Sequence, residues 1–215
     1  MNLVVFDMDG VLFQHFNFWV ELHKVFGTWE EGKKLTQQYL HTDYPKLVQE
    51  VIGRLWAGKP AEAYYDLINS QTYVAGAKEV FAELRKRNLV TAIITSGSYD
   101  LAVRAQKELG VDYIFANKLL VENGRIVGTT DMSLWPIRSD EKVLPLQQLC
   151  QQLKISSSEV IAVIHDYNDI KLARHVREGG GRVIGFMYEP HAGVEKNCSL
   201  VVREKDLRTI LRHLT

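Results

Sequence analysis

The sequence predicts an α/β protein whose parallel sheet carries helices on both faces. Three observations point there. Apolar runs recur at 3–6, 89–95 and 160–164, as expected of strands buried on both sides. Between them lie stretches with apolar residues at helical spacing, and that alternation builds a parallel sheet with covering helices. Each run also ends in polar residues: Asp7 and Asp9, then Thr95-Ser96-Gly97, then His165-Asp166. Reactive groups in such sheets sit at the carboxyl ends of strands, so three strand tips would point into one crevice.

The elements follow in order. Leu3 to Phe6 reads as a buried strand ending in a tight Asp-x-Asp-Gly loop. From about Phe13 to Tyr73 the pattern is helical, with Phe18, Trp19, Leu22, Val25 and Phe26 at helical spacing and Gly27, Gly32 and Gly58-Lys59-Pro60 as punctuation. Three or four helices and no strand are expected there. Helices follow over 77–88 (Val80, Phe81 and Leu84 as its stripe) and 99–109, the second capped by Ser98 and ended by Gly110. Tyr113 to Ala116 reads as a strand. Residues 118–127, turning at Glu122-Asn123-Gly124-Arg125, read as a hairpin. A helix over 141–153, a strand over 160–164 and a helix from Asp169 complete the main pattern. Strands at 182–186 and 199–202 and a closing helix at 207–214 follow. The division expected is a core of 1–12 and 73–215 with a helical cap of 13–72 inserted after the first strand.

Composition excludes several classes. Basic and acidic residues both number 26, so no electrostatic footprint for nucleic acid is present. Cys150 and Cys198 lack metal-ligand or disulfide spacing and suit free thiols in a reducing compartment. Two acids in the first ten residues argue against a secretory signal, and no apolar run approaches the roughly 18 residues of a membrane span. The expectation is a cytoplasmic monomer or homodimer acting on a small molecule.

The strand tips carry the chemistry. Two close carboxylates, Asp7 and Asp9, repel unless a cation or a shared proton compensates. A hard ion such as Mg²⁺ would do so. One carboxylate can attack an electrophile while the other handles the leaving-group proton; a plain Asp-Gly turn would also look like this. Thr95 to Ser98 supplies hydroxyls and N–H groups just before a helix, a natural phosphate cradle. Lys142 could hold a phosphate against Asp7. Asp166, with Asn168-Asp169, could complete an ion site or merely cap the next helix.

Taken in order, Phe6-Asp7-Met8-Asp9-Gly10-Val11-Leu12, Ile93-Ile94-Thr95-Ser96-Gly97, Lys142, and Asp166 with Asn168-Asp169 resemble the four motifs of the haloacid dehalogenase (HAD) superfamily. The stretches 113–119 and 122–128 are similar to the phosphoserine phosphatase branch. The resemblance implies a Rossmann-like parallel core with a helical cap and a Mg²⁺-dependent phosphatase acting through an aspartyl-phosphate. Asp7 would be the nucleophile and Asp9 the acid/base, with Lys142 steadying both phosphate and Asp7. Ser96, Gly97 and Asn168 would bind the substrate. The Asp7 side chain, the Asp9 carbonyl and Asp166 would hold the metal.

Two departures stand out. The fourth motif reads Ile164-His165-Asp166-Tyr167-Asn168-Asp169. Without a gap His165 falls on the metal-binding position; with one deletion Asp166 does. Mg²⁺ prefers oxygen, which favours Asp166, whereas a His165 ligand would favour Mn²⁺. The branch also commonly places a Glu about nine residues after the nucleophile, and here that position is Phe16. Another phosphomonoester than phosphoserine is therefore expected, with Arg54 as a candidate anion reader. The alternatives to a hydrolase are a phosphotransferase or mutase of the same family, or a catalytically weakened phosphate-binding module.

Overall fold

The computed structural model of the protein describes residues 2–129, 131–138, 140–189 and 192–214. The chain opens on β1 (Leu3–Phe6), buried throughout. Four helical pieces follow: α1 (Phe18–Val25), α2 (Trp29–Tyr39), α3 (Tyr44–Val48), which runs on into wider turns over Gln49–Trp56, and α4 (Glu62–Ser70). Next come α5 (Ala77–Lys86), β2 (Val90–Ser98), α6 (Tyr99–Ala105), β3 (Tyr113–Asn117) and the short pair β4 (Val121–Glu122) and β5 (Arg125–Ile126). The chain finishes with α7 (Val143–Leu153), β6 (Val160–Ile164), α8 (Ile170–Glu178), β7 (Arg182–Phe186), α9 (Ala192–Glu195) and β8 (Leu200–Val202).

Six strands form one sheet in the order β3-β2-β1-β6-β7-β8, and every pairing in it is parallel. Side chains alternate across it. Val4, Phe6, Ile93 and Val163 enter one apolar core, and Leu3, Val5, Ala92 and Ile164 enter the other. Because β1 lies between β2 and β6, the chain runs outward to one side and then to the other. The crevice at such a reversal lies beyond the ends of the central strands. Here those ends are Asp7, the 95–98 segment and the 165–169 segment.

Most of the expected elements are present, and the differences have physical causes. Strand β2 runs on to Ser98, where it pairs with Asn117 after a register shift. The segment 106–110 widens its turns rather than continuing α6, and Gly110 ends it at φ +74°, as a left-handed terminator should. The hairpin shrinks to 121–126, with Asn123 and Gly124 both at positive φ, which suits a two-residue primed turn. The closing helix expected at 207–214 is a tighter 3₁₀ helix over Leu207–His213. Both cysteines are free, Cys150 buried and Cys198 half-buried.

The helices between β1 and α5 are tied to the sheet at several points. Tyr64 of α4 bonds Ser98 Oγ at 2.6 Å and donates to Asp100 at 2.8 Å. Arg104 donates to the carbonyls of Ile68 and Gln71. Trp19 of α1 donates through Nε1 to the Ser96 carbonyl at 2.8 Å, which lays this segment directly over the strand tips.

Candidate active site

Asp7 follows β1 and is nearly buried; its own N–H donates to Val163 O on β6. The chain then folds back tightly. Gly10 adopts φ +75°, and a Cβ there would lie 2.5 Å from His165 Cδ2, so conformation and space both demand glycine. The fold-back brings Asp9 to the start of α1. Asp9 Oδ2 accepts the Phe18 N–H at 2.8 Å, and Oδ1 lies 3.0 Å from His15 Nε2. A carboxylate at a helix N-terminus is favoured by the unpaired N–H groups there. Burial opposes charge on His15, yet the Asp9 carboxylate holds its pKa above the usual value.

Lys142 caps α7 and reaches in from 135 residues away. Its Nζ donates to Asp7 Oδ1 and to Asp169 Oδ1, both at 2.7 Å. All three groups are buried. Asp169 is further fixed because Oδ2 accepts the His165 and Asp166 N–H groups. Burial first, then the Asp169 charge, push the Asp7 carboxyl up to about 8 against the pull of Lys142. Burial also works against the Lys142 charge, but Asp169 and Asp7 more than offset it and hold its pKa above normal. One ammonium shared by two buried carboxylates leaves the cluster short of positive charge.

At the end of β2, Ser98 caps α6 by accepting the Leu101 N–H. The Gly97 N–H, an expected phosphate donor, donates to Thr95 Oγ1 at 3.0 Å, so gripping a phosphate means exchanging that partner. Asn117 steadies this segment from β3. Its Nδ2 donates to the Ser96 and Ile137 carbonyls, and its Oδ1 accepts the Ile137 N–H.

Asp7, Asp9, Ser96, Gly97, Lys142, Asp166 and Asn168, the catalytic, substrate and metal residues implied by the resemblance, all line one small cavity, with Thr95, Phe16, Asn17 and Trp19 completing it. Its volume is about 20 Å³, room for about one water. Seating a phosphoryl group asks the lining to part. His165 does not join this set. Its ring stacks between Phe16 and Tyr188, with Nδ1 2.9 Å from Phe186 O. Arg54 is also elsewhere, exposed and paired with Glu50 and Glu31.

Among the described residues no three His, Cys, Asp or Glu side chains cluster closely enough to hold an ion alone. A set of two carboxylates and one main-chain carbonyl does not require three. The donors at hand, Asp7, Asp9 and Asp166, are all oxygen, and the shortage of positive charge at Asp7 is what a hard dication would correct. The residues therefore fit Mg²⁺.

Two contributors escaped the sequence reading, and one took another role. His15 had no motif around it. Asp169, expected to complete an ion site or cap the next helix, is Lys142's second partner. Asn117 sat inside a branch-like stretch with no role attached.

Comparison with known proteins agrees with this geometry. Residues 1–177 match the haloacid dehalogenase-like hydrolase family. The chain is 28% identical to a phosphoserine phosphatase of Methanocaldococcus jannaschii, over 99% of this chain and 97% of that one. It is 31% identical to one of Archaeoglobus fulgidus over 78% of this chain, which spans only 48% of that longer relative. A solved structure described as a phospho-aspartyl intermediate analogue of phosphoserine phosphatase superposes with a TM-score of 0.79 at 25% identity, covering 100% of this chain and 99% of that one. The chain therefore belongs to the haloacid dehalogenase-like hydrolases, on the branch occupied by its phosphoserine phosphatase relatives.

Proposed function

We propose that this phosphatase hydrolyses a small phosphomonoester through a phosphorylated Asp7. The observation that carries the reading is the position of Lys142, whose Nζ holds Asp7 Oδ1 at 2.7 Å while lining the same cavity as Asp9, Ser96 and Asn168. That contact fixes one carboxylate oxygen of Asp7 and leaves the other to attack phosphorus. As the Asp7 oxygen–phosphorus bond forms, the bond from phosphorus to the alcohol oxygen breaks, and protonated Asp9 gives its proton to that oxygen. The resulting Asp9 carboxylate then takes a proton from water attacking the same phosphorus. This step releases inorganic phosphate and restores Asp7.

The contacts of Asp9 suit this exchange, because His15 and the Phe18 N–H hold its carboxyl group in place. Ser96, Asn168 and the Gly97 N–H would bind the phosphoryl oxygens, where charge spreads during transfer. The Asp7 and Asp166 side chains and the Asp9 carbonyl would hold Mg²⁺, which would supply neutralising charge at the phosphoryl group. The packing of His165 against Phe16 and Tyr188 favours Asp166 as the fourth-motif ligand. In this reading residues 13–72 act as a cap over a core of 1–12 and 73–215. Among the described residues no helix is long and apolar enough to cross a membrane.

Hydrolysis of p-nitrophenyl phosphate with Mg²⁺, Mn²⁺ or EDTA, beside Asp7→Asn, tests the proposal. Turnover that needs metal and is lost in Asp7→Asn is expected. A well-folded chain inactive with every metal would overturn it.

A further inference from the structure

We infer that the alcohol released by this enzyme is bulky, uncharged and ring-bearing, and that it sits in a second, aromatic cavity beside the phosphoryl site. The inference rests on the phosphatase reading above and narrows its substrate.

The cavity has a volume of about 230 Å³ and lies beneath the helices between β1 and α5. A cavity of about 150 Å³ already takes up benzene, so a ring with substituents fits. Asn17, Trp19, Ser96 and Asn168 line both this cavity and the small one around Asp7. A leaving group attached to phosphorus at Asp7 therefore passes Ser96 and enters the larger space. Serine's side chain would fill little of it.

The lining is aromatic. Trp19, Trp29, Trp56 and Trp135, all four tryptophans of the chain, border the cavity. Two of them have their indole N–H engaged elsewhere, Trp19 by Ser96 O and Trp56 by Thr28 Oγ1 at 3.1 Å. Those two rings are fixed in place by polar contacts at their edges. The wide-turned segment Gln49–Trp56 adds Val51 and Ile52, and such turns recur at functional sites.

The charge pattern excludes an amino-acid leaving group. Among the described residues no Asp or Glu lines the cavity, so an ammonium seated there would be desolvated without a counter-ion. His23 is pushed down to about 4 by burial and is neutral at pH 7. Burial likewise pushes the Tyr44 phenol up and keeps it neutral. Lys33, the one charged lining residue among those described, is exposed.

The test compares kcat/KM for cyclohexyl phosphate and 1-naphthyl phosphate with that for phosphoserine, using the full chain with Mg²⁺. A preference of at least tenfold for the ring-bearing esters is expected. Phosphoserine turned over as well as or better than both would overturn the inference and leave the phosphatase reading intact. Val51→Phe, which narrows the cavity, should lower the cyclohexyl-to-acetyl phosphate ratio at least tenfold; an unchanged ratio in a folded variant counts against the inference.

Binding is read separately by tryptophan emission of Asp7→Asn. Cyclohexyl phosphate should shift it saturably and phosphoserine should not. If no ester is hydrolysed with any metal, the phosphatase reading fails and this titration alone decides. A selective shift upholds the cavity's ligand class, and no shift overturns it.

Discussion

His15 Nε2 lies 3.0 Å from Asp9 Oδ1, while the other oxygen of that carboxylate, Oδ2, accepts the Phe18 N–H at 2.8 Å. Asp9 is thus held by one side chain and one helix terminus. A misplaced acid/base group costs rate rather than affinity. His15→Ala should lower kcat for p-nitrophenyl phosphate by about tenfold or more with KM little changed. His15→Gln, which keeps a donor at that place, should recover most of the loss. Steady-state kinetics on both variants check this, and an unchanged kcat in His15→Ala would remove His15 from the account.

Lys142 offsets two buried carboxylates at once. Removing one partner of a buried ion pair leaves an uncompensated charge, at a cost of about 3–5 kcal/mol. Lys142→Met should therefore lower the urea midpoint strongly, and Lys142→Met combined with Asp169→Asn should regain part of it. A Lys142→Met chain as stable as wild type would contradict the geometry described.

The sheet was legible where periodicity decided it. The apolar stretches 3–6 and 160–164 have no other use than strands buried on both faces, and Asn123-Gly124 specified its own turn. The strand-tip rule then placed Asp7, Ser96 and Asp166 together before any coordinates. What stayed hidden depended on distant folding. The His15–Asp9 contact exists because Gly10 reverses the chain. Asp169 could not be matched to Lys142 from spacing alone, with 26 basic residues in the chain to choose from. The aromatic cavity joins residues from 17 to 168, and four tryptophans spread through a sequence do not announce a common wall. The closing 3₁₀ segment carries Leu207 and Ile210 three apart, a spacing that suits either helix type.

Asn117 is fully buried and makes hydrogen bonds to both Ser96 and Ile137. Asn117→Ala would leave buried backbone groups unpaired, at about 2–3 kcal/mol. Thermal or urea unfolding should show that loss. Activity at a temperature where the variant is folded should fall too, because the Ser96 segment loses its brace.

His23 offers a pH signature. Burial pushes its pKa from 6.5 down to about 4 in the folded chain, so between those values the unfolded chain binds the extra proton. Stability should fall as pH drops from 6.5 towards 4, by on the order of 1–2 kcal/mol after allowance for solvent screening. His23→Gln should flatten that part of the curve. Gly32 packs directly against the His23 ring. Gly32→Ala should thus destabilise the chain although alanine is the better helix former.

The most direct test of the central claim is rapid-quench trapping of the enzyme during turnover of a radiolabelled phosphomonoester with Mg²⁺, followed by peptide mapping. The account predicts acid-stable label on the peptide bearing Asp7 and none in Asp7→Asn. Sustained turnover with no covalent label, or with label on another residue, would contradict it.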